Sequence, residues 1–118
     1  MIRRLWLPGN PRPKERPRVY HGHAVTPKDT ARAEEAIRLA WRREHRGAKP
    51  FAGPVALRVR FARDSARPCD LDNLVKLVAD ALNGLAWVDD RQIVALLATK
   101  VVDRDEPGTM IVVREVGE

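Results

Sequence analysis

Cysteine is almost absent from this sequence, since Cys69 is the only one among 118 residues. No disulfide can therefore form within the chain, and we expect a reducing compartment. Apolar runs are also short, and none has the length of a signal-peptide core or of a membrane span. These absences argue against a disulfide-stabilised secreted domain and against a membrane protein, and they predict a cytoplasmic one.

Negative charge is scarce in the first half of the chain. Residues 1–60 contain fifteen lysines and arginines against five acidic residues, whereas residues 61–118 contain seven against eleven. A basic half of this kind, in a chain with a net charge of +6, is typical of a surface that attracts phosphate backbones. Basic residues that only solvate a helix and its loops would give the same count, so charge alone does not decide the function.

The apolar pattern predicts one α+β domain over residues 1–118, with a small mixed β-sheet and two helices in the order β(β)αβαββ. We predict strands over 2–7, 55–62, 93–102 and 110–116, and a brief strand at 19–20 before a turn at 21–23. The strand over 93–102 is so apolar that we expect it to be buried on both faces for most of its length. A hairpin loop at 104–108 is expected to join it to the last strand.

Two helices are predicted from apolar residues at three- and four-residue spacing. The first runs from about 27 to 46, with Thr26 as N-cap and Pro27 at the first helical position. The second runs from about 71 to 83, with Gly84 as C-cap. Recurring prolines in residues 10–18 exclude both a helix and a central strand, so we expect an extended loop that carries its cations outward.

Acidic residues gather around the second predicted helix. Asp70 lies at its entrance, and Asp72, Lys76 and Asp80 follow at four-residue intervals along one face. The pair Asp89-Asp90 follows a tight turn, and the next strand must return to the sheet beside this helix. We therefore expect one of the pair to join Asp70 and Asp72 at the helix entrance, with Trp87 packing the turn.

Carboxylates this close repel one another unless a cation offsets their charge. Mg²⁺ is the usual cation, because it takes oxygen ligands and keeps open positions for water or phosphate oxygens. A structural alternative remains: Asp70 and Asp72 could simply favour the helix dipole, and Asp72 and Lys76 could form an ordinary surface ion pair.

The stretch from Asp70 to Ile93 resembles the signature of the RusA-like Holliday junction resolvases. Its pattern is Asp-Leu-Asp-Asn-Leu-x-Lys-x-x-x-Asp-Ala-Leu-Asn-Gly, followed by Trp-x-Asp-Asp-x-Gln-Ile. The resemblance extends to Thr26-Pro27, to Lys100, and to the proline-rich loop that contains Pro13, Lys14, Arg16, Pro17 and Arg18. It covers most of the chain.

The resemblance implies a role for each matching residue. The metal ligands and catalytic acids would be Asp70, Asp72 and Asp90, and Lys76 would be the essential lysine. Supporting positions would be Asn73, Asp80 and Asp89. DNA contacts would come from Lys14, Arg16, Arg18 and Lys100. In the expected mechanism, metal-activated water attacks the phosphodiester and Lys76 offsets charge that develops on the phosphate.

The resemblance also implies a homodimeric crossover junction endodeoxyribonuclease that needs Mg²⁺, with Mn²⁺ as an alternative, and no small-molecule cofactor. Such enzymes resolve four-way DNA junctions by paired symmetric nicks in recombination and repair, and many are encoded by prophages. Two other readings stay open. One is a basic DNA-binding module without catalysis. The other is a Mg²⁺-dependent nuclease that acts on another phosphate substrate, such as a flap, a single strand or a nucleotide.

Overall fold

The structure, a computed structural model, describes residues 1–16 and 18–117, and for Arg18 it describes the backbone only. The elements in this part of the chain are, in order, β1 (Ile2–Pro8), β2 (Arg18–Tyr20), β3 (His23–Val25), α1 (Lys28–Glu44), β4 (Val55–Arg63), α2 (Leu71–Leu82), β5 (Ile93–Val102) and β6 (Gly108–Glu115). The main sheet has the strand order β1-β6-β4-β5, and β2 and β3 form a separate hairpin. Strands β4 and β5 are parallel, whereas the other pairs are antiparallel. The prediction of an α+β fold with a mixed sheet is therefore confirmed.

The core lies between one face of the main sheet and the two helices. Strand β4 alternates as predicted, because Val55, Leu57, Val59 and Phe61 are buried while Arg58 and Arg60 are exposed. The apolar residues at three- and four-residue spacing, from which α2 was predicted, are buried, namely Leu74, Leu77, Val78, Ala81 and Leu82. The opposite sheet face is covered by neither helix and carries exposed arginines.

The bounds of α2 agree with the prediction, but its C-cap is Asn83 rather than Gly84, and both ends of α1 differ. The N-cap of α1 is Pro27 rather than Thr26, and no side chain caps this end. Pro27 keeps an extended ψ of 145° and its carbonyl accepts from Ala31 N at 3.0 Å, so the helix begins one residue later than predicted. It ends at Glu44 instead of 46. Neither helix in the described residues has the length and apolarity needed to cross a membrane.

The prediction that β5 is buried on both faces is wrong. Strand β5 is an edge strand that pairs only with β4, and most of its residues are exposed. The hairpin prediction is wrong as well, because β4 lies between β5 and β6. The connection at 103–107 instead passes the end of β4, where Asp103 N donates to Arg63 O at 2.8 Å. The apolar composition of β5 favours burial, but composition alone does not show which surface would cover the strand.

Candidate active site

Asp70 and Asp72 lie together at the N-terminal end of α2. Asp70 is the N-cap residue, with φ −76° and ψ 126°, and its carbonyl accepts from Leu74 N at 3.2 Å. Its carboxylate makes no capping hydrogen bond, and the residue is exposed. Asp72 is also exposed, and its Oδ1 accepts from the adjacent Asn73 N at 2.9 Å. At least three of the four carboxylate oxygens at this end of the helix are thus left for a ligand.

Lys76 follows Asp72 by one helical turn and is also exposed. No ion pair joins Lys76 to Asp72 among the salt bridges of the described residues. The Asp72–Lys76 ion pair of the structural alternative is therefore missing from the described residues, whereas the position of both acids at the start of α2 is compatible with a favourable helix dipole. Asp70, Asp72 and Lys76 are all exposed in the first turns of α2, where a metal ion and a phosphate have access to them.

The proline-rich loop lies against the same helix. Lys14 N donates to Asn73 O at 2.9 Å, and Glu15 N donates to Thr30 Oγ1 at 3.2 Å. These bonds fix the loop beside the first turn of α2 and against α1. Arg16 is exposed next to them, whereas Pro17 and the side chain of Arg18 lie outside the described residues. The expected DNA contacts of Arg16 and Arg18 stay predictions.

The Lys14 ammonium does not point freely outward. It forms an ion pair with Asp80 on α2, and its Nζ lies 3.7 Å from Glu34 Oε2 on α1. Burial by itself lowers the pKa of Lys14, but the hydrogen bond and charge of Asp80, followed by those of Glu34, outweigh it and raise the pKa above 10.5. Lys14 and the supporting residue Asp80 thus connect the loop to both helices.

Lys100 reaches the entrance of α2 from β5. Its Nζ donates to the carbonyl of Cys69, the residue just before Asp70. The side chain of Lys100 lies in register with Phe61, on the face of the sheet that the helices cover. Lys100 therefore adds positive charge where the two acids of α2 are exposed, although its contact with DNA stays a prediction.

Asp90 is held in a rigid turn. Trp87 is fully buried, and its Nε1 donates to Asp90 Oδ1 at 2.8 Å, so the prediction that Trp87 packs this turn is confirmed. Asp89 Oδ1 accepts from Arg91 N at 3.2 Å, and Gln92 Oε1 accepts from Asp89 N at 2.8 Å. Gln92 also donates to the carbonyls of Phe51 and Gly53. Asp89 is the N-cap of a short 3-10 helix, Asp90–Gln92, and this helix fixes Asp90.

The expected meeting of Asp90 with Asp70 and Asp72 does not occur within one chain. The turn that holds Asp90 is bound to the C-terminal end of α2, where Gly84 N donates to Trp87 O at 2.8 Å. Asp70 and Asp72 lie at the other end of this helix of 12 residues, which is about 18 Å long. Within residues 1–16 and 18–117, no three acidic, histidine or cysteine side chains form a group that could hold a metal ion.

Two arginines that bind α2 or the loop before it were not singled out by the sequence. Arg38 Nε donates to Ala81 O at 3.1 Å and so attaches α1 to the C-terminal end of α2. Arg63 is only 9% exposed, and its Nη1 donates to Arg67 O at 2.8 Å in the loop that leads to Asp70. A signal for Arg63 was available, since it continues the buried phase of the alternation that runs through Val59 and Phe61.

Comparison with known proteins identifies the class of protein to which this chain belongs. The family described as Endodeoxyribonuclease RusA matches residues 8–114, which is nearly the whole chain. The chain belongs to the RusA endodeoxyribonuclease family. A curated protein of Bacillus subtilis (strain 168), described as uncharacterized protein YqaN, is 44% identical over 54 residues. That match spans 46% of this chain and 37% of the length of the B. subtilis protein.

Proposed function

We propose that the protein is a Mg²⁺-dependent endodeoxyribonuclease that resolves four-way DNA junctions by paired symmetric nicks in recombination and repair. Membership of the RusA family supports cleavage of DNA. The observation that carries the proposal further is the pair of uncapped, exposed carboxylates at the entrance of α2, beside Lys76 and a basic loop. The proposed substrate puts the activity in the cytoplasm, with the DNA.

The residues at this entrance fit a hard divalent cation. Asp70 and Asp72 offer only oxygen donors, which Mg²⁺ and Mn²⁺ both accept, and neither side chain is engaged in an ion pair within the described part of the chain. When bound, the metal would orient water and lower the energy of charge that develops on the attacked phosphate. Lys76, exposed one turn away, is suited to bind a non-bridging phosphate oxygen and to offset the same charge.

Asp90 enters the proposed site from a second copy of the chain. Because about 18 Å of helix separates it from Asp70 in its own chain, a site with all three acids requires two subunits. Each site of the homodimer then contains Asp70, Asp72 and Lys76 from one subunit and Asp90 from the other. A twofold enzyme with two such sites suits a near-twofold junction, in which two strands must be cut symmetrically.

DNA is held by the basic surface around the acids. The exposed cations beside the entrance are Arg16 from the loop and Lys100 from β5, and Arg18 continues the loop. Lys14 supports this surface indirectly, because its ammonium ties the loop to Asp80 and Glu34. Binding through such contacts falls steeply as salt rises, since phosphate contacts release counterions.

The decisive test is Asp70→Asn with synthetic four-way junctions. We expect nicking with Mg²⁺ to fall by at least about 1,000-fold, because the metal loses a charged ligand, while junction binding in a gel shift is kept or tightened. The fold should be unaffected, since the Asp70 carboxylate caps no backbone group. Asp29→Asn, an exposed first-turn acid of α1, is the matched control and should cut normally.

Three other outcomes would each contradict a part of the proposed function. Full activity of Asp70→Asn would remove the proposed mechanism. Junction binding without nicking in the unaltered protein, unaffected by chelators, would indicate a DNA-binding module. Faster cutting of a flap or a single strand than of a four-way junction, in direct competition, would replace the junction as substrate.

A further inference from the structure

The two edges of the main sheet are built differently. Strand β1, at one edge, carries Arg3 and Arg4 and ends in Pro8, features that oppose pairing with another strand. Strand β5, at the other edge, has ten residues and no proline, and Lys100 is its only charged residue. The Lys100 ammonium is already bound to the Cys69 carbonyl. The β5 edge thus lacks the features by which proteins keep exposed strands apart.

Apolar side chains are exposed on both faces of β5. Leu97 shares the open face with Arg58 and is 56% exposed, whereas Leu96 lies on the face that the helices cover and is still 52% exposed. In the same row, Leu57 on the neighbouring strand is buried. The hydrophobic core therefore ends abruptly at β5, where burying more apolar surface would be favourable.

We infer that β5 pairs antiparallel with β5 of a second copy, so that the two sheets of four strands join into one of eight. This inference rests on the proposed function, in which two subunits complete each active site. Antiparallel pairing of a strand with itself has twofold symmetry and closes on two copies. Strand pairing would satisfy the backbone groups of β5 that point away from β4.

The pairing also brings the separated acids together. Asp90 lies three residues before Ile93, the first residue of β5, and Lys100 lies near the end of the strand, beside the entrance of α2. With a twofold axis near Leu96 and Leu97, the start of β5 lies opposite the end of the partner's strand. Asp90 then lies toward the partner's Lys100 and the partner's Asp70. The separation is one strand spacing of about 4.8 Å plus the distance from β5 to the entrance of α2.

The open face of the sheet is a poorer surface for a second copy. It contains a groove of about 390 Å³ lined in part by Arg4, Arg58 and Arg114. Arg4 and Arg58 both lie in register with Val112, so this face is positively charged at its centre. Packing two such faces together would bring like charges into contact, which opposes association.

The first test is the double variant Leu96→Lys/Leu97→Lys, measured by sedimentation without DNA. Four added charges around the axis should weaken dimerisation by at least about 100-fold. Both positions are more than half exposed in the single chain, so the fold should remain, which circular dichroism checks. Leu39→Lys, an exposed leucine of α1, is the matched control and should stay dimeric.

The second test needs no disruptive substitution. Spin labels are attached at Leu97→Cys or Val102→Cys in a Cys69→Ser background, and distances between the two labels in the dimer are measured. With a rise of about 3.3 Å per residue, antiparallel pairing puts the Leu97 labels within about 15 Å and the Val102 labels about 30 Å or more apart. Equal distances for both pairs, or a dimer that survives the double lysine variant, would overturn the inference.

These readouts are separate from nuclease activity. A double variant that stays dimeric and still cuts junctions would refute the role of β5 and leave the proposed function intact. A dimer with the expected label distances that never nicks DNA would do the reverse. A protein that sediments as a monomer at all concentrations would refute both the strand pairing and the shared active site.

Discussion

Asp70 occupies a position where aspartate usually accepts a hydrogen bond from the first turn of a helix, yet its carboxylate caps nothing. Asp90 differs, because Trp87 holds one of its oxygens in place. The first carboxylate is thus exposed and unengaged, and the second is fixed by a buried indole. Sequence locates both residues, but only the structure tells which of them is bound and which is available to a ligand.

Lys14 illustrates how a cation expected to contact DNA can serve the fold. Replacing it by methionine, Lys14→Met, leaves Asp80 and Glu34 without the ammonium they share. We expect the free energy of unfolding to fall by about 1–2 kcal/mol at pH 7, between the values for exposed and buried ion pairs. Chemical denaturation measures this loss, and Lys49→Met, an exposed lysine, should change little.

The loss depends on pH with a definite sign. The pKa of Lys14 is raised in the folded protein, so its stabilising contribution is complete below the unfolded value of 10.5. It disappears as pH rises through the folded pKa. The difference between Lys14→Met and the unaltered protein should therefore be constant from pH 7 to about 9 and decline as pH rises through the folded pKa of Lys14. A difference that grows with pH, or none at pH 7, would contradict the ion-pair role.

At the scale of elements, the apolar patterns of the sequence predicted those features that depend on residues close together in the chain. The bounds of α2 and the alternation of β4 follow from apolar spacing alone, and the structure confirms both. Strand order depends on contacts between distant segments. Nothing in residues 103–108 indicates that β4 lies between β5 and β6, so an apolar edge strand was taken for a buried one. The end of α2 at which Asp90 lies was missed for the same reason.

At one end of the pairing of β1 with β6, Gly108 lies opposite Pro8 and has no space for a side chain. A Cβ on Gly108 would lie 2.3 Å from the Trp6 ring and 2.9 Å from Leu7 O. We expect Gly108→Ala to lower the free energy of unfolding by about 1–3 kcal/mol, as overpacking does elsewhere. Urea denaturation measures it. Gly53→Ala, where a Cβ meets nothing within 4 Å, is the control.

The contribution of Trp6 can be separated by a double-mutant cycle. Combining Trp6→Ala with Gly108→Ala removes the ring from the clash and leaves only the close approach to the Leu7 carbonyl. The loss in the double variant should therefore be smaller than the sum of the two single losses by about 1 kcal/mol. Strict additivity would mean that Trp6 moves aside without cost and that the carbonyl alone constrains Gly108.

At the scale of the whole molecule, α2 carries Asp70 and Asp72 at its N-terminal end and separates them from Asp90, which lies near its C-terminal end. A longer loop after α2 could have returned Asp90 to its own entrance, but the buried Trp87 and the bonds of Gln92 fix the turn at the far end. In the proposed function, fixing it there makes activity depend on a second subunit. Such an endonuclease would be suited to paired nicks, because an isolated subunit would have no complete site.

Mixing two inactive variants tests this arrangement directly. Asp70→Asn and Asp90→Asn dimers should each be inactive, because every site in them lacks one acid. In a mixed dimer, one site combines both substitutions, while the other takes its Asp70 from one subunit and its Asp90 from the other, both unaltered. Equal mixing after subunit exchange gives half mixed dimers with one working site each, so about a quarter of normal single-strand nicking should return. Paired nicks should not return.

Mixing Asp70→Asn with Asp72→Asn is the control, because those acids come from one subunit and no intact site can form. Failure of the first mixture to regain nicking, when exchange of labelled subunits is demonstrated, would mean that Asp90 does not act across the dimer.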